Sequence, residues 1–266
     1  MYVCQYYKIF WLAVVGAVLG SFVNCAASRL AAGQKPFAGR SCCTACGQQL
    51  AARDLIPIVS YVLNRGKCRF CASKIPGDCL AAELAGAVAF VCLGQHFGLC
   101  WELVQWLVAA ALLLALALTD WHGRIIPDKI LLLLLINRAI WFALLEIPLP
   151  GAQTLTEWLC NSLLSLLVPS ILLAIVLLTE IFAERELMGG GDIKLLFVLA
   201  LYLSWVQLVL LLFIACLLGL LLAVLGLALG QRSLAEPLPF GVDLALAALL
   251  TVCYGAPLVN WYLGLF

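Results

Sequence analysis

Two aspartates carry the strongest chemical signal in the chain. Asp120 closes an apolar run in Ala117-Leu118-Thr119-Asp120-Trp121-His122-Gly123-Arg124-Ile125-Ile126-Pro127-Asp128, and Asp192 follows three glycines in Met188-Gly189-Gly190-Gly191-Asp192-Ile193-Lys194. Carboxylates in or beside apolar helices are costly to hold there, which makes them functional candidates by default. A facing pair suits hydrolysis of a peptide bond: one carboxylate takes a proton from water while the other, protonated, polarises the scissile carbonyl. Close like charges in a poorly solvated setting cannot both ionise easily, so such a pair shares one proton and titrates as a unit. Gly189, Gly190 and Gly191 lack Cβ atoms, so their backbone can take positive φ and approach an extended chain closely, bringing Asp192 to it. Each motif alone also has a plainer reading. The glycines can form an ordinary loop, and Asp120 or Asp128 can cap a helix, since Pro127-Asp128 opens the next apolar run.

A second constellation is made of sulfur. Cys43-Thr-Ala-Cys46 and Cys68-Arg-Phe-Cys71 are two CxxC knuckles, each presenting two thiolates to one ion, a pattern that fits tetrahedral zinc. The alternatives are free or redox-active thiols, and a CxxxC register in which Cys42 pairs with Cys46. A segment this small holds little core of its own, so structural zinc would supply folding free energy directly. The remaining cysteines lie mostly in apolar runs, where they pack as small hydrophobes.

These groups need a scaffold, and composition says which kind. Of 266 residues 65% are hydrophobic and 11% charged, and the mean hydropathy is +1.12, too little polar surface for a water-soluble fold. The formal charge of +1 leaves no global field for nucleic acid, so membrane lipid is the expected surrounding. Eight apolar runs are long enough to be read as membrane helices: 9–29, 80–100, 102–119, 129–147, 158–181, 194–211, 213–230 and 240–263. The first lacks a small-residue cleavage site and is read as retained. The fold class is therefore an all-α polytopic membrane protein. Its expected division is a first helix in 1–30, a zinc-binding insert in 31–78 and a seven-helix core in 79–266.

Lys35, Arg40, Arg53, Arg65, Lys67, Arg69 and Lys74 crowd the insert, which the positive-inside rule places in the cytoplasm. Alternation then puts the Arg124, Arg185 and Arg232 loops inside, segments 95–101 and 148–157 outside, and both termini outside. Asp120 and Asp192 fall at the same cytoplasmic boundary. Arg138 lands near mid-bilayer, where it faces a polar cleft or pairs with an acid, or where its own helix is tilted or broken. Pro169 is expected to kink its span. His96 and His122 stand alone in the sequence and are poor zinc ligands, while Trp101, Trp121, Trp158 and Trp261 read as interfacial anchors.

With these residues in order, the chain resembles the type IV prepilin peptidases, of the GxGD class of membrane aspartic proteases. The likeness runs through Gly20-Ser21-Phe22-Val23-Asn24 with Arg29-Leu30, the paired knuckles, Leu55-Ile56-Pro57-Ile58-Val59-Ser60-Tyr61 and Gly66-Lys67-Cys68-Arg69-Phe70-Cys71. It continues through Asp120 ahead of Ile126-Pro127-Asp128, Gly189-Gly190-Gly191-Asp192-Ile193-Lys194-Leu195 and Pro239-Phe240-Gly241. The resemblance implies an inner-membrane endopeptidase that removes, after a glycine, the short basic leader of type IV pilins or type II secretion pseudopilins on the cytoplasmic side. It matches Asp120 and Asp192 to the catalytic pair, with Asp128 a weaker match for the first acid. Many members also methylate the new N-terminus from S-adenosylmethionine, and those bearing the cysteine insert are typically of this bifunctional kind.

The residues themselves show no glycine-rich nucleotide fingerprint and leave no room for a soluble methyltransferase fold. A cofactor site must then be built from the insert and the cytoplasmic helix ends, where Glu83 matches a family acid; its other reading is a snorkelling or helix N-terminal charge. Cys79-Leu80 replaces the Tyr-Pro usual in the family. Two other classes use the same features: a proton-coupled transporter relaying protons through the membrane acids, and a zinc scaffold for pilus assembly. Nothing in the sequence sets an oligomeric state.

Overall fold

The computed structural model describes residues 2–36, 39–146, 155–183, 188–228 and 239–264. Among them the chain is nearly all helical, with two isolated bridges, Cys42 to Gln49 and Lys67 to Lys74, and no longer strand. It divides into two compact units, Met1–Gly123 and Arg124–Phe266.

The first unit contains α1 (Tyr2–Ala31), a 3-10 turn at Ala52–Leu55, α2 (Val59–Leu63), α3 (Gly77–Phe97) and α4 (Trp101–Gly123). Lipid tails are as apolar as leucine, so membrane helices gain little hydrophobic free energy by meeting. They associate through close backbone approach at small residues. Helices α1 and α3 do this: a Cβ on Gly16 would run into the Gly86 carbonyl, and one on Gly20 into the Ala82 carbonyl. Below these contacts Ala27, Ala82 and Leu118 form a small core joining α1, α3 and α4, with Val23 and Leu114 against it. The Lys8 ammonium donates to the Gly94 carbonyl, and Asn24 Nδ2 donates to Cys79 Sγ at 3.5 Å.

The second unit contains α5 (Asp128–Trp141), a π-helical turn at Phe142–Glu146, α6 (Leu155–Ala183), α7 (Gly190–Leu199), α8 (Trp205–Ala228) and α9 (Phe240–Leu263). Leu208, Leu211 and Ala215 are the buried residues of α8, and α9 buries a long run of small and branched residues including Ala247, Ala248 and Thr251.

Six helices among the described residues are long and apolar enough to cross a membrane, where the sequence suggests eight. The runs 9–29, 80–100, 102–119, 158–181 and 240–263 become α1, α3, α4, α6 and α9. The run 129–147 forms the 14-residue α5 continued by the π-helical turn, and residue 147 lies outside the described residues. The two runs 194–211 and 213–230 are divided differently from the expectation. The ten-residue α7 is about 15 Å long, too short to span, and the break falls at residues 200–204, not at 212. Residues 229–230, Arg185, Arg232 and most of 148–157 lie outside the described residues, as does the Trp158 side chain.

The break has a local cause that hydropathy hides. Ser204 and Gln207 form a reciprocal capping box: the Ser204 amide donates to Gln207 Oε1 at 3.1 Å and the Gln207 amide to Ser204 Oγ at 3.5 Å. The freed carbonyls are answered by neighbouring helices, as an apolar setting requires. Arg138 Nε donates to the Leu201 carbonyl at 2.8 Å and Ser165 Oγ to the Leu203 carbonyl at 3.0 Å. Tyr202 Oη donates to the Leu134 carbonyl and accepts from Asn137 Nδ2 at 3.0 Å. Arg138 thus donates to the break between α7 and α8 from within a continuous α5. Helix α6 runs on through Pro169.

Candidate active site and metal centre

Each cysteine knuckle is built by one repeated hydrogen-bond pattern. The Cys43 amide donates to the Gln48 carbonyl and the Gly47 amide to the Cys43 carbonyl; likewise Cys68 to Ser73 and Ala72 to Cys68. Gly47 and Ala72 occupy equivalent positive-φ positions, at 70° and 56°. The two bridges, Cys42 to Gln49 and Lys67 to Lys74, close the knuckles at their bases. The Sγ atoms of Cys43, Cys46, Cys68 and Cys71 all lie within 4.8 Å of one another, with Cys43 and Cys71 3.8 Å apart. Tetrahedral Zn–S bonds of about 2.3 Å place sulfurs about 3.8 Å apart, so the four residues fit zinc. Cys42 is not part of the cluster.

The electrostatics agree. The Cys46 and Ala45 amides and the Ser73 hydroxyl hold the Cys43 thiol down at about 6, and Ser73 also lowers Cys71. Cys46 is pushed up to about 11, because the Gln48 amide that favours its thiolate is outweighed by desolvation and by Cys43 and Cys71. Thiolates crowded this way can all be anionic only around a cation.

Between the insert and the ends of α1 and α3 lies a cavity of about 270 Å³, whose lining includes Asn24, Tyr61, Phe70, Asp78 and Glu83. That is close to the lower end, about 300 Å³, of ordinary ligand pockets. Glu83 is buried, and its Oε2 accepts the Ile58 amide at 2.6 Å. His122, alone in sequence, is not alone in space: its Nε2 lies 3.2 Å from Asn24 Oδ1 and 3.6 Å from Asp78 Oδ2. The cavity offers carboxylates to a cationic group and aromatic faces to a flat ring, which fits an adenosyl sulfonium donor.

Asp120 is buried in the last turn of α4, in the first unit. Asp192 is half-buried in the first turn of α7, in the second. Gly189 precedes α7 with φ −62° and ψ 131°, and none of Gly189, Gly190 and Gly191 takes the positive φ that the sequence suggests. Space explains two of them instead. A Cβ on Gly189 would stand 3.1 Å from Asp192 Oδ2, and one on Gly191 would stand 2.8 Å from Ile126 Cβ. A Cβ on Gly190 meets nothing within 4 Å, leaving its backbone open to an approaching chain. Asp128 is exposed and pairs with Lys194 Nζ at 2.8 Å.

Sequence reasoning overlooks a deeply buried acid, Asp243. Asp243 is 1% exposed in α9, and Gly219 of α8 makes room for it, since a Cβ there would lie 3.0 Å from Asp243 Oδ2. The signal was available: an acid inside the apolar run 240–263.

Comparison with known proteins places this arrangement. Residues 14–97 match the bacterial peptidase A24 N-terminal domain, and residues 107–224 match the type IV leader peptidase family. A prepilin leader peptidase/N-methyltransferase of Bacillus subtilis (strain 168) is 32% identical over 252 residues, 95% of this chain and 96% of that protein. Proteins of the same description from Aeromonas hydrophila and Pseudomonas aeruginosa are 31% and 30% identical, over 85% and 84% of this chain and 76% and 74% of theirs. No solved structure matches. The chain belongs to the type IV leader peptidase family. It is thus an enzyme of the peptidase class, and its apolar helices make it an inner-membrane protein.

Proposed function

We propose that this protein cleaves the short basic leader from type IV prepilins and type II secretion pseudopilins at the cytoplasmic face of the inner membrane, and then N-methylates the new terminus. The observation that carries the reading is the pair of acids set at helix ends of an apolar family member: Asp120 in the last turn of α4 and Asp192 in the first turn of α7. One carboxylate takes a proton from the attacking water while the other, protonated, donates to the scissile carbonyl; as the resulting gem-diol collapses, the first passes its proton to the departing amine and the second takes one back from the gem-diol hydroxyl, which restores both. Gly190 lets the substrate backbone lie close to Asp192, and Gly189 and Gly191 give that acid and its helix room. Asp128, exposed and paired with Lys194, assists at most through charge.

Cys43, Cys46, Cys68 and Cys71 would hold zinc, whose closed four-sulfur site cross-links the insert and leaves no open position for catalysis. S-adenosylmethionine supplies an electrophilic methyl group when bound, and the cavity that Glu83 lines is its proposed seat. In this reading residues 1–30 anchor the insert 31–78, and 79–266 form the peptidase core. The basic residues of the insert support its cytoplasmic side.

The test is cleavage of a purified prepilin in detergent, followed by gel shift, with Asp120→Ala and Asp192→Ala variants. Both are expected to lose cleavage by orders of magnitude; full processing by either sinks the catalytic pair. Mass spectrometry of the processed N-terminus is expected to show one added methyl group, and an unmodified product leaves the peptidase alone.

A further inference from the structure

Ile58 has φ 62° and ψ −51°, and the Val59 amide donates back to the Pro57 carbonyl. This is a γ-turn of the rarer, left-handed kind, which is strained for any side chain and most of all for a β-branched one. Strain of this sort persists only where surrounding structure enforces it, and it concentrates at ligand clamps and active sites. The enforcing contact comes from the membrane: the central amide of the turn points at Glu83 of α3, whose Oε2 accepts it at 2.6 Å. The turn leads directly into α2, which carries Ser60, Tyr61 and, one residue past its end, Asn64, all lining the cavity. Tyr61 in turn lies against Gly66, the residue before the second knuckle's Lys67-Cys68, where a Cβ would meet the phenol oxygen at 3.0 Å.

We propose that Glu83 is a positioning residue, a latch from α3 that holds the strained Pro57–Val59 turn and so builds the wall of the cavity, acting on the methyl donor only through that wall. The proposal rests on reading the cavity as the donor site. A ligand to a sulfonium works by charge; a latch works by offering an acceptor oxygen in one place. Glutamine keeps the oxygen and loses the charge, and alanine loses both.

The experiment uses the full chain in detergent and two readouts, amide hydrogen exchange at Ile58 and Val59, and equilibrium binding of S-adenosylmethionine. Glu83→Ala is expected to speed exchange on the order of tenfold to a hundredfold, the range for losing a hydrogen bond to a charged group, and to weaken donor binding. Glu83→Gln is expected to recover most of both. Ile58→Gly, which removes the strain, is expected to restore donor binding in the Glu83→Ala background. Unchanged exchange in Glu83→Ala overturns the latch. Donor binding as weak in Glu83→Gln as in Glu83→Ala, with no rescue by Ile58→Gly, overturns it in favour of direct charge contact. A wild-type protein that binds no donor refutes the donor reading of the cavity, while the exchange data still decide the latch.

Discussion

Gly190 and Gly191 stand side by side and are glycine for different reasons. Alanine at 191 drives its Cβ into Ile126, an overpacking that costs roughly 1–3 kcal/mol. Thermal unfolding in detergent should therefore show a lowered midpoint for Gly191→Ala. Alanine at 190 meets open space, so Gly190→Ala should unfold at the wild-type temperature yet cleave prepilin more slowly, because the added methyl occupies the path of the substrate backbone. Equal cleavage rates for Gly190→Ala and wild type would remove that role. The residue scale is also where the sequence spoke most clearly. Asp120, Asp192 and the four cysteines stand out by type against an apolar background, and Asp243 stands out the same way but falls within no motif.

At the scale of elements, the long helices were legible because twenty apolar residues have few other uses, and α9 begins and ends where the run does. The α7–α8 break was not, because Leu201, Tyr202 and Leu203 keep the run apolar while the chain turns. Its signals were a Ser-x-x-Gln box at 204–207 and Arg138 within the apolar run of another helix. Those two devices can be tested separately. Ser204→Ala removes the cap and is expected to cost about 1 kcal/mol. Arg138→Met leaves the Leu201 carbonyl without its Nε donor and is expected to cost about 1–3 kcal/mol. Unfolding midpoints should rank wild type above Ser204→Ala above Arg138→Met.

For the whole molecule, the insert is the part whose order depends on conditions. The Cys43 thiol sits at about 6 against an ordinary 9.0. A depressed value means that the thiolate favours the folded insert fully above about pH 9, and that this support is lost as pH falls through 6. Protons and metal compete for the same sulfurs, so zinc release, followed with a chelating dye, should rise steeply as pH drops below 6. Cys43→Ser with Cys68→Ser should abolish metal content by elemental analysis. The same pair should expose residues 39–76 to protease while the membrane helices stay protected. Metal content unchanged in the double variant would place the ion elsewhere.

The close backbone approach of α1 and α3 has a consequence for the path of the chain. Gly16 against Gly86, Gly20 against Ala82 and Asn24 against Cys79 form a stem, which the chain leaves where α1 ends at residue 31 and rejoins where α3 begins at 77. The insert is therefore an excursion between two helices that are already paired, so much of the entropy of closing it is met by the helices and not by its own weak core. Such a stem should tolerate exchange of the excursion for another. Replacing residues 33–75 by a short Gly-Ser linker should leave the amides of α1 and α3 as protected from hydrogen exchange as in the intact chain, whatever has become of the chemistry above them.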